Sequence, residues 1–194
     1  MNGTLVLVRH GEIVRPAYTS NFDRAPLSER GEAQIQELAR AWPVAPPTAI
    51  FTSPLRRSIE SAILLAKAFG LSIQKRRCLK EWSADESGIP QAEYKALERR
   101  AWADLTFVPP SKESLAQAAD RGRRCIEEIA EAVDDTTAAI VGHGTLFSLL
   151  RATLKGEHPT EAYKDSIGFA YAAILENSDL RLVRDFRMYT PTSR

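Results

Sequence analysis

Leu5-Val6-Leu7-Val8-Arg9-His10-Gly11-Glu12 is the stretch on which the reading of this chain turns. Its four consecutive apolar residues, two of them β-branched, have the character of a strand buried on both faces. The run then stops abruptly on a cation, an imidazole and a glycine. Ligands of open α/β sheets bind beyond the carboxyl ends of the strands, so Arg9 and His10 stand where a site is expected. The design returns at Ala138-Ala139-Ile140-Val141-Gly142-His143-Gly144, which leads into the amphipathic segment Thr145 to Leu154. Two of the chain's three histidines therefore end an apolar run. His158, in a Gly/Pro-punctuated loop, reads as a surface residue.

Between these two turns the sequence alternates helical and extended patterns. Ser28 is an N-cap candidate for a helix running to Trp42, with Ile35, Leu38 and Ala39 at helical spacing. Ala49 to Thr52 reads as a buried strand, after which Ser53 is expected to cap a helix that has Pro54 in its first turn. Arg56 and Arg57 on that helix point about 100° apart and cannot share one role. Leu71 to Gln74 reads as a third strand. Pro90 to Asp104 and Glu113 to Val133 read as helices, the first with Tyr94, Leu97, Ala101 and Trp102 facing inward. Gly168 to Leu175 and Leu180 to Phe186 read as a hairpin at the sheet margin.

The chain has 194 residues, enough to bury one sizeable core, so a single domain over 1–194 is expected. Lys+Arg 26 against Asp+Glu 25 gives a formal charge of +1, which argues against nucleic acid as a partner. Any strong positive potential must be gathered locally by the fold. Cys78 and Cys125 show no metal-ligand or C-x-x-C spacing, and two buried, reduced thiols are expected. The start of the chain enters its first strand at once, without a signal-peptide pattern, and the apolar run is too short to span a bilayer. Cytoplasmic localisation and no membrane partner are the expectation.

Taken together, Arg9-His10-Gly11-Glu12, Ser53-Pro54-Leu55-Arg56-Arg57 and Gly142-His143-Gly144 resemble the histidine phosphatase superfamily, the phosphoglycerate mutase-like fold. Leu27-Ser28-Glu29-Arg30-Gly31-Glu32-Ala33-Gln34 resembles that family's Leu-Thr-x-x-Gly-x-x-Gln segment. Glu113-Ser114 with Arg121 resembles its Glu-Ser helix, and Leu79-Lys80-Glu81 its Leu-x-Glu segment. The resemblance implies an α/β three-layer sandwich, with a mostly parallel central sheet of about five to six strands and helices on both faces. It also implies phosphate binding by Arg9, His10, Arg57 and His143, with His10 as nucleophile and Glu81 as proton donor. Asp85 and Glu86 are rivals to Glu81. The family's usual loop asparagine falls at Ala17, leaving Arg15 or Asn21 as candidate substrate-binding replacements.

These residue types suit the chemistry. Guanidinium forks match the three non-bridging oxygens of a phosphate dianion, and an imidazole neutral at one nitrogen can attack phosphorus. Arginines can carry the phosphate charge, so neither metal nor other cofactor is expected. The expected activity is hydrolysis of a small phosphorylated metabolite through a phosphohistidine. The segment Trp82 to Lys112 is short for a mutase cover, which favours water as acceptor. Mutase-type phosphoryl transfer and a non-catalytic phospho-ligand module are the alternatives, and a homodimer is left open. A nucleotide-binding domain is disfavoured, since no glycine-rich phosphate loop follows any predicted strand.

Overall fold

Alternation along the central strands divides the core into two faces. The computed structural model describes residues 3–17 and 19–191. In β1 (Thr4–Arg9), Leu5 and Leu7 join one apolar cluster while Val6 and Val8 join another, as the two-residue period of a strand requires. In β4 (Thr137–Gly142), Ala138 and Ile140 divide from Ala139 and Val141 in the same way. The first cluster is closed by α4 (Leu115–Val133) and α5 (Gly144–Lys155), through Ile126, Ile129, Phe147 and Leu150. The second is closed by α1 (Glu29–Arg40) and α2 (Arg56–Phe69), through Ile35, Leu38, Ala62 and Leu65. A third cluster, with Trp82, Ala101 and Trp102 against Leu115 and Leu149, docks α3 (Gln91–Ala103) above the sheet end.

With β2 (Ala49–Thr52), β3 (Ile73–Lys75), β5 (Ala172–Glu176) and β6 (Arg181–Arg187), the strands form one six-stranded sheet in the order β3-β2-β4-β1-β5-β6. β3, β2, β4 and β1 run parallel, and β5 and β6 add two antiparallel pairs. The register decides the site. Arg9 pairs with Gly142 and Thr52 with Val141, so the residues that follow β1, β2 and β4 emerge side by side. No described helix is long and apolar enough to cross a membrane.

Several local expectations give way to tertiary contacts. β3 begins at Ile73 rather than Leu71, because the Leu71 amide donates to the Ala66 carbonyl and completes the end of α2. Gly168 to Tyr171 is a loop, not strand. The Ala170 amide turns back to the carbonyls of Arg9 and His10, with Ala170 at φ 55°. The chain after His158 forms α6 (Glu161–Ser166), six residues that are too short to show periodicity. The cysteines are joined rather than reduced. Cys78 and Cys125 lie 5.7 Å apart between Cα atoms and form a disulfide that ties a 3₁₀ turn, Arg77–Leu79, to α4. Packing of that turn on α4, not sequence spacing, creates the pairing.

Candidate active site

His10 sits where β1 ends, its amide donating to the Gly142 carbonyl of the neighbouring strand. Its Nδ1 lies 2.7 Å from the Gly11 carbonyl oxygen, which has no proton to give, so Nδ1 carries the hydrogen and Nε2 keeps its lone pair. That lone pair accepts from Arg57 Nε at 3.2 Å. The turn after His10 is held by α1. Gln34 Oε1 accepts from the Glu12 amide, and Ser28 and Gly31 pack beneath Glu12. A Cβ on Gly31 would stand 2.0 Å from the Glu12 carbonyl oxygen, so this approach requires glycine.

Arg57, in the first turn of α2, is fixed by a second hydrogen bond from Nη1 to the Phe22 carbonyl at 2.6 Å. Arg9 donates to the Ile167 carbonyl and lies over the Phe169 ring, with Cζ 4.4 Å from the centroid. Its Nε is buried and has no hydrogen-bond partner among the described residues. Gly144 admits this guanidinium, because a Cβ there would stand 3.1 Å from Arg9 Cζ.

His143 is wholly buried, its ring centroid 5.2 Å from that of His10. Nε2 is 2.7 Å from Ser53 Oγ, and Nδ1 has no hydrogen-bond partner among the described residues. Ser53 is therefore not the cap of α2, which begins at Arg56 after an uncapped Leu55. Its hydroxyl lies against the imidazole and also accepts from the Leu55 amide at 3.3 Å. Burial first, then Arg57 and Arg9, push His10 well below its ordinary value of 6.5. His143 is pushed the same way by burial, then by Arg57 and His10.

Glu81 closes the opposite wall. Its carboxylate accepts from the amides of Thr145 and Leu146, each at 2.9 Å, and of Trp82 at 3.0 Å. It thereby takes up the free N–H groups at the start of α5. Of the rival acids, Asp85 is engaged by Ser87 and the amides of Gly88 and Ile89, and Glu86 pairs with Lys80. Neither lines the large cleft that Glu81 shares with Arg9, His10 and Arg57.

That cleft has a volume of about 950 Å³. Arg15 and Ala17 line it. Asn21 does not, because its amide donates to the Glu86 carbonyl and its Oδ1 accepts from the Asp23 amide. Of the two candidate replacements for the loop asparagine, Arg15 thus stands in the cleft lining and Asn21 outside it. The outer part carries residues that sequence inspection missed as site residues: Tyr94, Lys95 and Glu98 of α3, Lys164 and Asp165 of α6, and Phe169. Glu98 accepts from Lys164 at 2.7 Å and from Lys95 at 2.5 Å. Burial raises Glu98, but the two lysines outweigh it and hold it below 4.5. The helical pattern placed Tyr94 on the inner side, and nothing in the sequence set the short α6 beside α3. Among the described residues no group of three or more His, Cys, Asp or Glu converges to hold a metal.

Comparison with known proteins agrees with this geometry. Residues 5–179 match the family model for the histidine phosphatase superfamily, branch 1. The glucosyl-3-phosphoglycerate phosphatase of Mycobacterium tuberculosis is 30% identical over 166 residues, spanning 77% of this chain and 74% of that protein. A probable phosphoglycerate mutase of Yersinia enterocolitica is 28% identical over 161 residues, 79% of this chain and 75% of its own. Among solved structures, a native mycobacterial glucosyl-3-phosphoglycerate phosphatase superposes with TM-score 0.75 at 25% identity, over 98% of this chain and 100% of that one. The chain belongs to the histidine phosphatase superfamily.

Proposed function

We propose that the protein is a phosphatase that hydrolyses a small phosphorylated metabolite through a phosphohistidine on His10. The observation that carries this reading is the His10 ring itself. One nitrogen is committed to the Gly11 carbonyl, and the other directs its lone pair toward Arg57 at the floor of an open cleft. A phosphoryl group seated there would take the Arg57 and Arg9 guanidiniums on its non-bridging oxygens. The unpartnered Nδ1 of His143 and Nε of Arg9 are suited to the same oxygens.

Attack by His10 Nε2 breaks the bond from phosphorus to the ester oxygen, and Glu81 gives that oxygen its proton. Water then attacks phosphorus, Glu81 takes its proton, and His10 leaves with its lone pair restored. Splitting the displacement in two lets one imidazole serve both halves. The arginines supply the charge that a metal would otherwise carry. The relatives named as phosphatases favour water as acceptor, and the outer cleft leaves room for it. Mutase-type transfer to a second substrate is the other reading, favoured by the relative named as a probable mutase.

Purified protein should release phosphate from p-nitrophenyl phosphate in the presence of EDTA. His10→Ala should reduce this by at least about 10⁴-fold, the scale of losing a covalent nucleophile. A rapid acid-free quench of the wild type should trap phosphate on His10 that is stable to base and labile to acid. An active His10→Ala variant would refute the mechanism.

A further inference from the structure

We propose that Arg121 is a positioning residue for Glu81, through which α4 holds the backbone that presents this carboxylate to the cleft. The inference rests on the reading of Glu81 as the group that protonates the leaving oxygen. Arg121 Nη1 donates to the carbonyls of Cys78 at 2.5 Å and Lys80 at 2.9 Å, the residues three and one before Glu81. The rest of the guanidinium is gripped by Glu113, with Nε to Oε1 at 2.7 Å and Nη2 to Oε2 at 2.9 Å. A bidentate pair of this kind fixes both the position and the plane of the fork. One turn further along α4, Cys125 is bonded to Cys78. The strand of chain entering Glu81 is thus tied to α4 at two points.

Such ties matter because of what lies behind Glu81. A second cavity of about 240 Å³ is lined by Arg77, Lys80, Glu81, Glu113 and Arg121 among others, so Glu81 borders both this space and the large cleft. Leu79 and Trp82 on either side of Glu81 are buried in the core, and the Arg121 contact to the Lys80 carbonyl fixes the backbone between them. The carboxylate is aimed by the α5 amides, but the reach of the side chain is set by where its Cα is held. A general acid loses much of its effect when it is displaced from hydrogen-bond reach of the leaving oxygen. Glu113 and Arg121 hence belong to the reaction without touching substrate.

The test compares two esters by kcat/KM, which reads the step that expels the leaving group. Nitrophenolate leaves p-nitrophenyl phosphate without a proton, whereas the alkoxide of β-glycerol phosphate requires one. Glu81→Gln should lower kcat/KM for the alkyl ester about 100-fold more than it lowers that for the aryl ester. Arg121→Ala should show the same selectivity at smaller amplitude, about tenfold on the alkyl ester. Arg121→Lys keeps the charge without the fork and should recover part of the loss. An Arg121→Ala variant that loses both esters equally would show that Arg121 only supports the fold, and the proposal would fail. An unselective Glu81→Gln would remove Glu81 from its role, and the proposal with it. If Arg121→Ala does not fold, Glu113→Gln, which frees one side of the fork, carries the same comparison.

Discussion

At the floor of the cleft, Arg9, His10 and Arg57 leave strand ends or a first helical turn, and each is pinned to a carbonyl or to another member of the group. At the outer part, Lys95, Glu98 and Lys164 meet across α3 and α6, two helices held together there by this ion cluster. The floor is built from the parallel register, in which a shift of one residue would turn every side chain over. The outer part is built from long flexible side chains on separately packed pieces. The difference teaches that chemistry should be invariant to substrate at the floor and responsive to it at the rim.

The largest effect should come from breaking the floor. Arg57→Ala should lower kcat/KM about 10²- to 10³-fold for aryl and alkyl phosphates alike, because it removes a donor from the non-bridging oxygens that all such esters share. Arg57→Lys should restore little, since an ammonium cannot reach both His10 and the Phe22 carbonyl. A loss that varied strongly with the leaving group would mean that Arg57 belongs to the rim.

A second prediction concerns pH. Both buried imidazoles titrate well below 6.5 when folded, through burial and then Arg57. Below about pH 6.5 the unfolded chain binds protons that the folded chain refuses, so stability is full above that pH and falls as the pH drops toward the folded values. The thermal midpoint of ligand-free protein should decline on acidification from about pH 7 to about pH 5. His143→Asn should flatten the decline, and vanadate or phosphate should offset it by placing negative charge beside the rings. A slope unchanged by His143→Asn would show that His143 does not contribute to it.

Much of the floor was legible in the sequence because strand ends are local. Arg9-His10 and Gly142-His143 each follow an apolar run, and parallel pairing brings them together without further information. The motif resemblance supplied the identity of Glu81, but not what holds it, since the Arg121 contacts and the Cys78–Cys125 bond span more than forty residues. Ser53 was misread for a related reason. A serine before a proline suits a helix cap, and it is His143, just beyond the end of the neighbouring strand, that draws its hydroxyl away. The rim was largely illegible. Glu98 lies one position beyond the predicted inward residue Leu97, and α6 is too short to announce itself.

The rim should yield a smaller, substrate-dependent change. Glu98→Gln removes the carboxylate that Lys95 and Lys164 share, leaves Lys164 its longer pair with Glu161, and makes the outer cleft one charge more positive. A phosphate ester with a carboxylate on its leaving group should gain about fivefold in kcat/KM over a neutral alkyl ester, the effect of ~1 kcal/mol of Coulomb attraction. p-Nitrophenyl phosphate should stay within about twofold. The thermal midpoint should fall, because Lys164 is half-buried and loses a charged partner. Equal changes on all three esters would place Glu98 with the floor and dissolve the distinction.

The smallest effect should come from the arginine beside the largest. Arg56 precedes Arg57 on α2, but its side chain is 57% exposed and, among the described residues, pairs with Glu60, four residues on. Its amide donates to the Asp23 carbonyl, a bond that any residue can make. Glu60 would keep its other contact, the hydrogen bond from the Leu27 amide, in an Arg56→Ala variant. Stability should then change by no more than about 0.5 kcal/mol, as for other exposed pairs at this spacing, and kcat/KM by less than about twofold. The comparison separates geometry from field. If the floor worked through diffuse positive potential, removing a cation one residue away would weaken every phosphate ester, and high salt would mimic the variant. If it works through fixed donors, two adjacent arginines about 100° apart around one helix should differ by two orders of magnitude or more.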